Sequence, residues 1–168
     1  GNGGDLQISH DGTDSRIDNM VGHLKIRNYS NDSDIVFETD DGNGSTTEYF
    51  RLDGSATQSV FSQDVRFIDS KILRFGGGSD LQIQHDSTDS YVDNYVGHLY
   101  IKNYADDKDI IFQSDNGSGG VETYFFLDGS ASSGSPYTIF PDNSHLSFGS
   151  GYGDLQLHHD GTDSYIKN

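Results

Sequence analysis

The chain has no cysteine and no tryptophan, two prolines and one methionine among its 168 residues. Without cysteine there is no disulfide framework and no thiol nucleophile. Basic residues are also scarce, 10 Lys and Arg against 27 Asp and Glu, for a net charge of −17. A field of that sign repels phosphate backbones and anionic head groups, which argues against nucleic acid and membrane surfaces as partners. It suits an extracellular surface, and it admits divalent cations. No apolar run reaches the roughly 18–20 residues a membrane span needs, and no signal peptide precedes Asp5. Apolar mass is thin as well: Leu, Ile, Val and Phe make up 39 of the 168 residues. That share lies just above the roughly 20 % below which a highly charged chain stays disordered. A chain this poor in core can fold if identical subunits supply the missing half. An obligate oligomer is therefore expected.

What the chain does have is repetition. Asp5-Leu6-Gln7-Ile8 with His10-Asp11 returns as Asp80-Leu81-Gln82-Ile83 with His85-Asp86, and again as Asp154-Leu155-Gln156-Leu157 with His159-Asp160. Residues 5–54 align with 80–129 without a gap, at a shift of 75 and with 30 of 50 positions identical, and the next interval is 74. Elongated proteins lengthen by adding such units, each burying its apolar face on a neighbour. The expected organisation is one repeat over 1–79, a second over 80–153 and the start of a third over 154–168. The chain reads as a segment of something longer.

Apolar residues follow a period of two. Leu6 and Ile8, Leu24 and Ile26, and Val65 and Phe67 each alternate with polar residues, the mark of strands with one buried face. Glycine and Asx clusters, such as Asp11-Gly12-Thr13-Asp14 and Asp40-Asp41-Gly42-Asn43-Gly44, reverse the chain between them. The pattern predicts strands near 5–10, 15–18, 23–28, 34–39, 47–53, 58–62, 64–68 and 71–75 of the first unit, and no amphipathic helix. The expected fold is all-β, an elongated repeat of short antiparallel strands and hairpins. A single-chain sandwich or solenoid and an intertwined homotrimeric β-fibre are both open, and the thin core favours the fibre, whose neighbours also cover strand edges.

The phrases Gly78-Ser79-Asp80-Leu81-Gln82-Ile83-Gln84-His85-Asp86, Asp93-Asn94-Tyr95-Val96-Gly97-His98-Leu99-Tyr100-Ile101-Lys102-Asn103 and Tyr124-Phe125-Phe126-Leu127-Asp128-Gly129-Ser130 resemble the repeats of tail-fibre and structural proteins of marine bacteriophages, cyanophages included. The resemblance covers nearly the whole chain. It implies a homotrimeric shaft segment of a virion-associated, extracellular tail fibre, which holds a receptor-binding tip away from the particle during host attachment. The other reading is a tandem carbohydrate-binding module that recognises host-surface or environmental glycans.

No catalytic constellation stands out, because candidate groups recur at every equivalent position and none is unique, so an enzyme is not expected. No cofactor is expected either, with two metal readings kept open. His10, His85 and His159 share the strand phase of Ile8, Ile83 and Leu157, so three copies could converge on a threefold axis and offer imidazoles to a transition metal. The plainer reading is a strand-end histidine bonded to the turn aspartate that follows it. His23 and His98 fall in the outward phase, and His158 and His159 should point to opposite faces. Asp40, Asp41, Asn43, Asp115 and Asn116 resemble fragments of a calcium loop, without the full ligand pattern. Tyr91, Tyr95 and Tyr100 occur only in the second unit, where the first has Arg16, Met20 and Lys25, and are the candidate glycan contacts.

Overall fold

The computed structural model describes residues 3–131, 134–150 and 154–168. Among these, the chain forms strands and no helix: β1 (Leu6–His10), β2 (Ser15–Asn19), β3 (Ile35–Asp40), β4 (Thr46–Asp53), β5 (Gln58–Phe61), β6 (Ile72–Phe75), β7 (Leu81–His85), β8 (Ser90–Asn94), β9 (Ile110–Asp115), β10 (Val121–Asp128), β11 (Tyr137–Ile139), β12 (Leu146–Ser147), β13 (Gln156–His159) and β14 (Ser164–Lys167). They make small antiparallel sheets: β1-β2, β3-β4-β5, β6-β7-β8, β11-β10-β9 and β12-β13-β14. The all-β expectation and its short hairpins hold. Two compact units, Gly1–Asp93 and Asn94–Asn168, divide the chain. They are phased differently from the sequence period, because β6 pairs with β7 and draws the opening strand of the second repeat into the first unit. The expected boundary at 153 lies outside the described residues.

Two sheet types alternate. In the first, Phe37 stands opposite Phe50 and Phe50 opposite Phe61, and their rings stack at 5.2 Å each. The second unit repeats this row with Phe112, Phe125 and Phe140, at 4.5 and 5.7 Å. Cross-strand aromatic pairs of this kind are the unit of sheet stabilisation. Both rows sit beside a β-bulge, where the register slips between Phe37 and Glu38 in one unit and between Thr123 and Phe125 in the other. The extra residue is Tyr49 or Tyr124, which has no register partner on the facing strand.

The second sheet type is built on the hairpin His-Asp-x-Thr-Asp-Ser. Asp11 Oδ1 accepts the N–H groups of Thr13 and Asp14, both at 2.9 Å, and Asp11 N–H closes the turn on the Asp14 carbonyl at 3.1 Å. Asp86 and Asp160 make the same contacts. The x position lies at φ 99° in Gly12 and 92° in Gly161, and Ser87 occupies it at φ 93°. A side chain there is strained. Ser87→Gly should raise stability by about 0.5–1 kcal/mol, the strain relieved less the added chain entropy of glycine. A denaturant midpoint unchanged or lowered by the substitution would refute this.

Two predicted strands, 23–28 and 64–68, do not form, and neither does the equivalent stretch 98–103. Their alternation is intact, but no strand of the described chain pairs with them. A strand exists only with a partner, and alternation encodes a half-buried surface without supplying what buries it. The expected inward phase fares likewise: no described residue is buried. Leu6 is 54 % exposed and Ile8 79 %. In β4 the order is inverted, with Leu52 42 % exposed while the side chain of neighbouring Asp53, beside Arg51, is only 12 % exposed.

Candidate functional site

The three repeated histidines end β1, β7 and β13, and each bonds across its hairpin to a serine rather than to the aspartate that follows it. His10 Nδ1 lies 3.2 Å from Ser15 Oγ, His85 Nδ1 3.1 Å from Ser90 Oγ, and His159 Nδ1 3.2 Å from Ser164 Oγ. The serine partner was missed, although its recurrence five residues after each histidine was legible in the sequence. The aspartate is engaged with the turn N–H groups, which explains the exchange of partners. Those N–H groups hold the carboxyls of Asp11, Asp86 and Asp160 below their ordinary value, with the residue three positions on as the largest cause and the one two positions on next.

A depressed carboxyl favours the folded state while it is ionised. Its contribution is complete above the ordinary value of about 3.9 and is lost as pH falls through the lower, folded value. The carboxyl contribution to the melting temperature should therefore be constant from neutral pH down to about 4 and fall below it, while any histidine whose folded pKa is lowered adds a separate loss below about 6.5. Carboxyl resonances of the three aspartates should titrate below those of a free side chain. Midpoints at or above the free value would contradict the turn geometry.

Beside each histidine lies an open apolar face. In the first unit Phe67, Leu73, Ile83 and Val92 line a groove of about 360 Å³ with His85 at its rim. In the second unit Phe140, Leu146, Leu157 and Ile166 line an equivalent groove of about 510 Å³ with His159 at its rim. In the first hairpin Ile8 stands opposite Ile17, both exposed, in the same relation to His10. The face thus recurs with the period of the chain.

The third hairpin sheet differs from the others by a ring stack. His145 and His158 lie face to face at 3.9 Å, and His158 stacks on Tyr165 at 4.8 Å. His158 Nδ1 is shielded from solvent without a hydrogen-bond partner. Its desolvation, reinforced by His145, lowers the ring's pKa. Parallel rings do not present their lone pairs to one ion, and among the described residues no group of three or more His, Asp or Glu is placed to hold a metal. A histidine metal site on His10, His85 or His159 would need further copies of the chain. In the loops offered as calcium fragments, Asp40 accepts Gly42 N–H at 3.1 Å and Asp41 accepts Asn43 N–H at 2.7 Å. Asp115 and Asn116 accept Gly117 and Ser118 N–H at 2.9 Å each. These bonds are ordinary Asx-turn chemistry.

The three tyrosines do not act alike. Tyr91 donates its hydroxyl to Asp86 Oδ2 at 3.1 Å, and that bond raises its pKa. Tyr165 does the same with Asp160, so the position belongs to the hairpin. Tyr95 and Tyr100 are exposed, at 65 % and 69 %. Lys102 Nζ sits 4.5 Å from the centre of the Tyr100 ring, and His98 meets that ring edge-on.

One half-covered polar cluster went unnoticed in the sequence. Arg51 bonds Glu48 at 2.7 Å and Asp34 at 3.2 Å, and Ser62 Oγ donates to Glu48 at 2.5 Å. The serine first, then the arginine, lowers the Glu48 carboxyl. Its counterpart in the second unit carries Phe126 where Arg51 stands, so the cluster belongs to one unit and not to the repeat.

Fold and surface together define an all-β repeat protein whose apolar faces are uncovered within the chain. No protein-family model matches it, and neither a curated protein nor a solved structure does.

Proposed function

We propose that this chain is a structural shaft segment of a phage tail fibre, assembled as a homotrimer in which the apolar faces of three copies cover one another. One observation carries the reading: a chain with regular, bonded sheets has no buried residue among the described ones and leaves one apolar face per repeat open. Its accessible surface is 13682 Å². A compact protein of this mass, 18.4 kDa, exposes about 8,200 Å², and two separate globules of half the size about 9,900 Å². The excess of roughly 3,800 Å² falls in the range of about 2,000–5,000 Å² buried by permanent assemblies. Sequence resemblance to phage fibre repeats supplies the virion setting, and repetition supplies length, each unit stacking on the next behind a polar, acidic exterior.

Sedimentation of the purified chain tests this. Three chains per particle is the expected mass, and a single chain would overturn the shaft reading. The exposed Tyr95 and Tyr100 favour the second reading, a carbohydrate-binding module, and glycan-array binding by a monomer would establish it in place of the first.

A further inference from the structure

We infer that residues 23–27 and 98–102 are donated strands, each pairing through its backbone with a sheet edge of another copy of this chain. The inference rests on the oligomeric reading above and specifies its contacts. Both segments read polar-apolar-polar-apolar-polar, His23-Leu24-Lys25-Ile26-Arg27 and His98-Leu99-Tyr100-Ile101-Lys102. That is the composition of a strand with one buried face, not of a solvated linker, which would be rich in Gly, Ser and Asx.

Yet no backbone group of either segment bonds to another group of the described chain. Their apolar side chains stand in solvent: Leu24 and Leu99 are 48 % exposed, Ile26 60 % and Ile101 67 %.

The ends of both segments are pinned in the same way. Asn19 Nδ2 donates to the Gly22 carbonyl at 2.9 Å, and Asn94 Nδ2 to that of Gly97 at 3.0 Å. At the far end Asn28 Nδ2 donates to the Asp34 carbonyl at 2.9 Å, and Asn103 Nδ2 to that of Asp109 at 3.0 Å. Each unit thus fixes where its segment leaves and returns, and presents an unpaired row of N–H and C=O groups between. Such a row is a template for pairing with another chain.

Two features select a second copy as the occupant. The segments recur at the 75-residue period, and another copy of the chain presents its edges at that same period. Charge agrees: Lys25, Arg27 and Lys102 are three of only ten basic residues, carried on the polar face of these segments, in a chain with 27 acidic ones. A strand buried through Leu24 and Ile26 would turn its cations toward the acidic surface of the neighbour that receives it.

Hydrogen exchange on the assembled full chain tests the inference. Alternate amides of both segments should exchange about 100-fold or more slowly than in the dissociated chain, as paired strand amides do. Of Lys25→Pro and Ile26→Pro, which sample both N–H phases of the strand, the one that falls on a protected amide should lower the fraction of assembled particles more than the other, because proline cannot donate to a ladder. A particle of three chains whose segments exchange as freely as the Asx loops would overturn the strand assignment and leave the shaft reading standing. A monomer would overturn both. Protection in a monomer would place the partner strand within the chain and refute the inter-copy pairing.

Discussion

Replacing Ile8, Ile83 and Leu157 together with aspartate is expected to reduce the particle mass from three chains to one. Within a lone chain the change is mild, because these side chains are already 79 %, 42 % and 39 % exposed, and substitutions at exposed sites stay within about ±0.5 kcal/mol. In a trimer closed on this face the same change sets unpaired carboxylates in an apolar interior, at several kcal/mol each. The two situations differ by far more than the error of a sedimentation experiment. Circular dichroism checks that the hairpins survive: a strand spectrum retained at one-chain mass is the expected pair of results. A variant that still assembles as three chains would show that the recurrent face is not the contact surface.

Gly129→Ala and Gly54→Ala should each unfold the aromatic sheet of their own unit. Neither glycine has a left-handed φ, so the demand is steric rather than conformational. A Cβ on Gly54 would stand 2.5 Å from the Ser33 carbonyl oxygen, and one on Gly129 would meet the Lys108 carbonyl oxygen. Backbone cannot swing aside as a side chain can. The approach is held by the Gly54 N–H donated to Asp34 Oδ1 at 3.0 Å, and by the Gly129 N–H donated to Asp109 Oδ1 at 2.9 Å. Overpacking of this kind costs about 3 kcal/mol, a large part of the stability of a small domain. Gly77→Ala is the control, since a Cβ there meets nothing within 4 Å, and it should change stability by less than about 0.5 kcal/mol. Equal denaturation midpoints for the three variants would refute the close-approach account.

These contacts mark how far the sequence can be read. The hairpins at 5–10 with 15–18 and at 34–39 with 47–53 were legible because alternation and Asx turns lie close together, and local pairing needs no more than that. The repeated Asp-Leu-Gln phrase located equivalent strands in both units for the same reason. The Gly54–Asp34 and Gly129–Asp109 bonds were not legible, because each spans 20 residues and glycine after aspartate also reads as an ordinary turn. The bulges that turn Tyr49 and Tyr124 out of register leave no pattern of their own either. The histidine was correctly placed at a strand end but given the wrong partner, since proximity in sequence favoured the aspartate and the turn had already engaged it.

The sequence by itself determined the period, the all-β class, the acidic exterior and the places where the chain turns, since each is set by residues within a few positions of one another. Only the tertiary structure decided which alternating segments become strands and which side of each sheet is covered. Pairing and burial are properties of partners, and a pattern such as Leu24 and Ile26 or Leu99 and Ile101 is the same whether the partner is the chain itself or another copy. The structure leaves the backbone of those segments without a partner strand among the described residues.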